Sequence, residues 1–116
     1  MIKFYGYNKC STCVKAKKIL VNREVRFDDI DITTTPPTKA ELKSILKAGS
    51  YQLKDLFNRS GEQYRELNMK EKLPKLTEDQ ALDLLATNGR LVKRPIVMDG
   101  KQVTVGFDEK IFNQTW

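Results

Sequence analysis

The feature that most constrains this chain lies in its first 32 residues. Ile2-Lys3-Phe4-Tyr5-Gly6-Tyr7 alternates and is rich in aromatic and β-branched residues, so it reads as a strand. Asn8-Lys9-Cys10-Ser11-Thr12 reads as a turn and a helix start. Cys13, Ala16 and Leu20, with Ile19 nearby, then fall at helical spacing. Asn22 is placed to stop that helix. Val25 to Ile32 reads as a second strand with Phe27, Ile30 and Ile32 as its apolar members, although Asp28, Asp29 and Asp31 interrupt the pattern. Strand, helix, strand in about 30 residues is a βαβ unit with a parallel strand pair. Cys10 and Cys13 sit where the strand gives way to the helix.

The rest of the composition bounds what that dithiol can do. The 116 residues hold two cysteines and no histidine. A Ser-His-Asp triad, a Cys-His thiol protease and a His-ligated metal are therefore excluded. Two thiolates alone cannot close a tetrahedral zinc site, so no metal is expected. Ala16 stands six residues after Cys10, where a phosphatase-type loop needs arginine. The pair is then redox-active or incidental. The N-terminus has no apolar run of signal-peptide length, and no stretch approaches the roughly 18 apolar residues of a membrane span. A cytoplasmic location is expected, where C-x-x-C is more often catalytic or redox-sensing than a structural staple.

At a helix N-terminus, Cys10 meets unpaired backbone N–H groups and the positive end of the helix dipole. Lys9 and the basic helix are expected to add positive charge. The thiolate is the nucleophile, so Cys10 is the expected attacking thiol. Cys13, one turn on, is expected to be less exposed and less acidic, and to resolve the intermediate by closing a Cys10–Cys13 disulfide. The plain alternative is two small buried hydrophobes. Lys3, Lys9, Lys15, Lys17, Lys18, Arg23 and Arg26 against Glu24 carry the whole net charge of +6. A solvated helix face explains Lys15, Lys17 and Lys18 equally well. Nucleic acid is not the expected partner, because charge alone is a weak signal and Phe4, Tyr5 and Tyr7 read as core residues of a central strand.

Thr33-Thr34-Thr35-Pro36-Pro37 breaks the chain. Thr38 and Glu41 form a capping box ahead of Leu42, Ile45 and Leu46, and Gly49 ends that helix. Leu53, Leu56 and Phe57 suggest a short helical segment, and Tyr64 and Leu67 another turn or two. Thr77 and Gln80 form a second capping box before Ala81, Leu82, Leu84 and Leu85, with Gly89 as its stop. Residues 38–89 thus read as a helical insertion. Ile96-Val97-Met98, Asp99-Gly100 and Val103-Thr104-Val105 form a hairpin pattern. Residues 108–116 predict a last helix carrying Ile111 and Phe112. Length points to a single domain over 1–116. Arg94 is a permanent forked cation before Pro95, whose peptide bond is open to cis. An ordinary surface arginine fits the local sequence equally well.

Taken in order, strand, Cys10-Ser11-Thr12-Cys13, helix, strand, helical block, Lys93-Arg94-Pro95-Ile96-Val97 and hairpin resemble the ArsC-like branch of the thioredoxin fold. Phe57-Asn58-Arg59-Ser60-Gly61, Tyr64-Arg65-Glu66-Leu67 and Val105-Gly106-Phe107 are similar to it too. The branch holds glutaredoxin-coupled arsenate reductases, Spx-type transcriptional regulators and short C-x-x-C relatives. The resemblance implies an α/β thioredoxin-like fold with a four-stranded mixed sheet. The helical insertion would lie between the βαβ unit and the C-terminal hairpin, and a cis Pro95 beside the reactive cysteine. It implies Cys10 as nucleophile and Arg94 as an oxyanion ligand, with Lys9, Ser11, Thr12 and Pro95 around the substrate. No bound cofactor is implied, only an external thiol reductant such as glutathione with glutaredoxin, or thioredoxin.

The arsenate reductases of the branch carry a histidine before a single loop cysteine, whereas here residue 13 is a second cysteine. Two further arginines of theirs fall at Asn58, next to Arg59, and near Gly106, which counts against arsenate reduction. The C-x-x-C is similar to the Spx branch, where the pair is a redox switch and the partner is the C-terminal domain of the RNA polymerase α subunit. Spx proteins usually continue into a longer basic tail, and the end at Trp116 favours an enzyme. The expectation is therefore a thiol–disulfide oxidoreductase that resembles arsenate reductase and acts on a thiol reductant or a disulfide-bearing protein. The alternative is an Spx-like redox-sensing regulator.

Overall fold

The computed structural model describes residues 2–116. In chain order the elements are β1 (Ile2–Gly6), α1 (Ser11–Asn22), β2 (Phe27–Asp31), α2 (Lys39–Lys47), α3 (Glu62–Glu66), α4 (Met69–Lys72), α5 (Glu78–Thr87), β3 (Ile96–Met98), β4 (Val103–Val105) and α6 (Glu109–Thr115). Single 3-10 turns cover Leu53–Leu56, Leu73–Lys75 and Gly89–Leu91. The chain divides into two compact units. One runs to Ile32 and resumes over Arg94–Trp116; the other is Thr33–Lys93.

The first unit is a mixed four-stranded sheet in the order β2-β1-β3-β4. β1 runs parallel to β2 and antiparallel to β3, and β4 is antiparallel to β3. This is the thioredoxin-like arrangement the resemblance implies. With neighbours on both sides, β1 buries Phe4 and Tyr5. Tyr7 lies beyond the strand end and is only half-buried, so it is not the core residue its alternation suggests. β2 is an edge strand, and this explains its aspartates: Asp28, Asp29 and Asp31 are exposed, and charge on an edge strand deters pairing with another chain.

α1 crosses between the parallel strands and buries Cys13, Ala16 and Leu20 in a cluster with Phe4, Val97 and Phe112. Asp108 caps α6 by accepting the Ile111 N–H at 3.2 Å. Of the two apolar residues expected to anchor α6, Phe112 is buried and Ile111 faces solvent. Trp116 Nε1 donates to Thr104 Oγ1 at 3.0 Å, which satisfies that buried hydroxyl. Arg23 donates to the Asn113 carbonyl at 2.8 Å, tying the end of α1 to α6. At the hairpin, Asp99 Oδ1 accepts the N–H groups of Lys101 and Gln102 at 2.8 and 2.7 Å, and Gly100 takes a φ of +93°.

In the second unit both capping boxes form. Thr38 Oγ1 accepts the Glu41 N–H at 3.1 Å and Glu41 accepts the Thr38 N–H at 3.0 Å; Thr77 and Gln80 repeat the pattern at 3.1 and 3.0 Å. Lys39 on α2 reaches Asp79 and Asp83 on α5 at 2.8 and 2.9 Å. Residues 62–76 hold more structure than the Tyr64 and Leu67 spacing suggests. Asn68, at φ +54°, separates α3 from α4, and α4 buries Met69. Gly89 does not stop α5. Asn88 does, and its side chain accepts the Arg90 N–H at 3.2 Å to begin the next turn.

Candidate thiol site

The first unit assembles the site from the end of β1, the start of α1 and the turn before β3. β1 must stop close against α1, and Gly6 permits this. A Cβ at Gly6 would lie 2.5 Å from a Phe4 ring carbon and 3.4 Å from Cys13 Cβ. The Tyr7 carbonyl then accepts the Cys10 N–H at 3.2 Å, and the Cys10 carbonyl accepts the Val14 N–H at 3.0 Å. Cys10 is thereby the N-cap of α1, in extended geometry at φ −95° and ψ 116°.

The cap is a sulfur. Cys10 Sγ accepts the Cys13 N–H at 3.4 Å and lies 3.2 Å from the Thr12 hydroxyl. Arg94 is among the groups that draw the Cys10 pKa down, and its guanidinium carbon lies 5.2 Å from the centre of the Tyr7 ring. The Arg94-Pro95 peptide is cis, and the Pro95 carbonyl accepts the Gly106 N–H at 2.8 Å. Both cysteines are free thiols. Cys10 is half-buried, and Cys13 is 1% exposed.

The two thiols are driven apart electrostatically. Burial is the largest single influence on Cys10 and pushes its pKa up. The hydrogen bonds from the Cys13 thiol, the Thr12 hydroxyl, the Cys13 N–H and Arg94 together outweigh it, so Cys10 lies below the ordinary thiol value. Cys13 is pushed up to about 12, first by burial, then by its hydrogen bond to Cys10 and the charge there. Cys10 is therefore the sulfur that ionises first, and Cys13 keeps its proton while it does so.

Of the residues singled out from the sequence, Cys10, Thr12, Cys13 and Arg94 come together, with Pro95 holding the turn. Ser11 is exposed at the start of α1, and Lys9 is exposed beside it. Of the helix lysines, Lys17 pairs with an acid rather than with Cys10. Lys17 turns to Asp29 on β2 at 2.6 Å and lies 5.6 Å from the Phe4 ring centre. The donors that lower Cys10 are Cys13, Thr12 and Arg94. Asn58 belongs to the second unit, where its N–H donates to the Leu91 carbonyl at 2.7 Å. Gly106 is buried at φ +75°, a conformation an arginine adopts only with strain. A groove of about 400 Å3 runs along α1 at Cys13, lined by Tyr7, Lys17, Lys18 and the exposed Val14 and Val21 among others. Tyr7 is the site residue that the sequence conceals, because strand alternation continues through it.

The model of the ArsC family matches residues 5–115. The chain is 49% identical over 115 residues to the uncharacterized protein YusI of Bacillus subtilis (strain 168), covering 99% of this chain and 98% of YusI. It is 32% identical over 109 residues to the global transcriptional regulator Spx of Streptococcus pyogenes serotype M3, covering 94% of this chain and 80% of Spx. It also resembles the solved structure of a possible arsenate reductase from Streptococcus mutans UA159, at 37% identity and a TM-score of 0.87, covering 97% of this chain and 98% of that one. Among the described residues, no helix is long and apolar enough to cross a membrane. The chain belongs to the ArsC family, a thiol redox branch of the thioredoxin-like fold.

Proposed function

We propose that this protein is a thiol–disulfide oxidoreductase in which the Cys10 thiolate attacks and Cys13 resolves. The observation that carries the reading is the division of labour between the sulfurs: Cys10 half-exposed with its pKa drawn down by Cys13, Thr12 and Arg94, Cys13 buried with its pKa pushed up to about 12. In the first step the Cys10 thiolate attacks one sulfur of a substrate disulfide, forming a mixed disulfide and releasing the other substrate sulfur as a thiolate. In that intermediate Cys10 bears no charge, so two of the influences that hold Cys13 protonated disappear while burial remains. Cys13 loses its proton to the released thiolate or to solvent base and attacks Cys10. The Cys10–Cys13 bond forms and the second substrate thiolate leaves. The substrate gains two electrons, the pair loses two, and an external thiol reductant (glutathione with glutaredoxin, or thioredoxin) restores the dithiol. Lys9, Ser11, Thr12, Arg94 and Pro95 border the point of attack.

Arsenate is a poor fit, because Arg94 stands without an arginine at position 58 or 106. A Cys13→Ser variant tests the main reading. It should hold mixed disulfides on Cys10 in cells, identified by mass spectrometry. An empty trap, or a Cys10 in that variant that titrates at the ordinary thiol value, would sink it. A second reading follows from the similarity to Spx: the same pair acts as a switch that couples redox state to binding of the RNA polymerase α subunit. Immobilised α subunit should then retain the protein in one redox state and release it in the other. Equal retention, or none in either state, removes that reading.

A further inference from the structure

Tyr7 bears on three members of the thiol site, Cys10, Cys13 and Arg94. Its carbonyl accepts the Cys10 N–H at 3.2 Å, its backbone N–H favours the Cys13 thiolate, and its ring lies 5.2 Å from the Arg94 guanidinium carbon. The backbone contacts are available to any residue at this position. The ring contact is not. Arg94 has a long, flexible side chain, and it must reach from the turn before β3 to a sulfur at the start of α1. A guanidinium in water loses considerable rotamer freedom when held in one place. An aromatic face offsets that loss by attracting the cation and excluding water from one side of it.

We propose that Tyr7 is a positioning residue: its ring holds the Arg94 guanidinium against the Cys10 sulfur, so that the cation serves the thiol and does not sample solvent. The inference rests on the reading of Cys10 as the attacking thiol and adds how its charge partner is kept in place. The Cys10 sulfur is hydrogen-bonded by Thr12 and Cys13 from α1, and Arg94, from the turn before β3, favours its thiolate. Of these, only Arg94 is a fixed charge, and only Arg94 lies on the ring. The phenol hydroxyl is not needed, because a phenylalanine ring presents the same negative face.

The test measures thiolate absorbance against pH in a Cys13→Ser background, with alkylation of Cys10 at neutral pH as a second readout. Tyr7→Phe should titrate like the parent. Tyr7→Leu should move the Cys10 titration upward as far as Arg94→Gln does, and slow alkylation about threefold to tenfold. The Tyr7→Leu, Arg94→Gln double variant should go no further than Arg94→Gln alone. If Tyr7→Leu does not fold, pentafluorophenylalanine at position 7 keeps the shape and removes the negative ring face; it should move Cys10 upward relative to Tyr7→Phe. An unmoved titration in Tyr7→Leu or in the fluorinated variant overturns the proposal, as does a further shift in the double variant. An unshifted Cys10 in the Tyr7 parent overturns the proposed function instead, so the two failures are distinguishable.

Discussion

Helix α1 and helices α2 and α5 begin in opposite ways. α2 and α5 each start at a threonine whose hydroxyl caps the third residue, answered by a Glu or Gln side chain that reaches back. Acidic residues occupy their first turns: Glu41 in α2, Glu78 and Asp79 in α5. Their N-terminal N–H groups and dipoles are satisfied locally, at no expense to function. α1 has no acidic residue in its first turn, and its cap is the Cys10 sulfur, a weaker acceptor at 3.4 Å. The positive end of α1 is left for a charge that the helix does not itself supply. The same backbone position is structural in one unit and chemical in the other, and a cap is strongest when it is least reactive.

Converting one kind of start into the other gives the largest expected effect. Cys10→Asp supplies an oxygen cap and an anion beside Arg94. It should abolish disulfide formation completely while raising stability by about 1 kcal/mol. Thermal unfolding and a dithiol oxidation assay check the two halves separately. A Cys10→Asp protein less stable than the parent would mean that the sulfur is already an adequate cap, and the contrast between the helices would collapse.

Gly6→Ala comes next. The added methyl meets the Phe4 ring at 2.5 Å and approaches Cys13. Phe4 is wholly buried and has nowhere open to turn. Such overpacking costs about 1 to 3 kcal/mol, read as a fall in denaturant midpoint. The same change should slow Cys10 alkylation, because it pushes apart β1 and the start of α1. Unchanged reactivity would show that the thiol site does not depend on that close approach.

Thr38→Ala and Thr77→Ala remove the complete caps. Each should cost about 1 kcal/mol and leave Cys10 alkylation at the parental rate. A change in Cys10 reactivity from either would contradict the separation between structural and chemical helix starts.

These contrasts also mark what was legible in the sequence. The βαβ unit and its cysteines were legible because the apolar period changes from two to 3.6 at Cys10, and because threonine boxes announce α2 and α5 locally. Arg94 stands out locally as a fixed cation before Pro95, but only resemblance ties it to the site, since nothing near residue 94 tells of a cysteine 84 positions away. Tyr7 was hidden because alternation runs through it, while the end of β1 is decided by crowding at Gly6. Lys17 misled for a physical reason: a charge count has no direction, and this lysine points to Asp29 on the edge strand. The short α3 and α4 were obscured because their apolar positions are few and a left-handed Asn68 interrupts them.

The smallest expected effect is the pH dependence of stability, and here the two sulfurs act in opposite directions. Cys10 is lowered in the folded state, so between its folded pKa and the ordinary 9.0 the unfolded chain binds more protons. Stability from Cys10 therefore grows as pH rises toward 9.0 and is lost as pH falls through the folded value. Cys13 is raised to about 12, so between 9.0 and about 12 the folded chain binds more protons. Stability from Cys13 is complete below 9.0 and is lost as pH rises toward about 12. The comparison is between variants: reduced parent, Cys10→Ala and Cys13→Ala, unfolded in denaturant from pH 6 to pH 11 (roughly spanning the thiol range). Cys10→Ala should flatten the rise below 9.0. Cys13→Ala should lessen the fall above it. Cys10→Ala should also soften that fall in part, because the Cys10 charge is one of the influences on Cys13, but burial should keep most of it. Parallel curves for all three proteins would mean that neither thiol is held away from its unfolded behaviour.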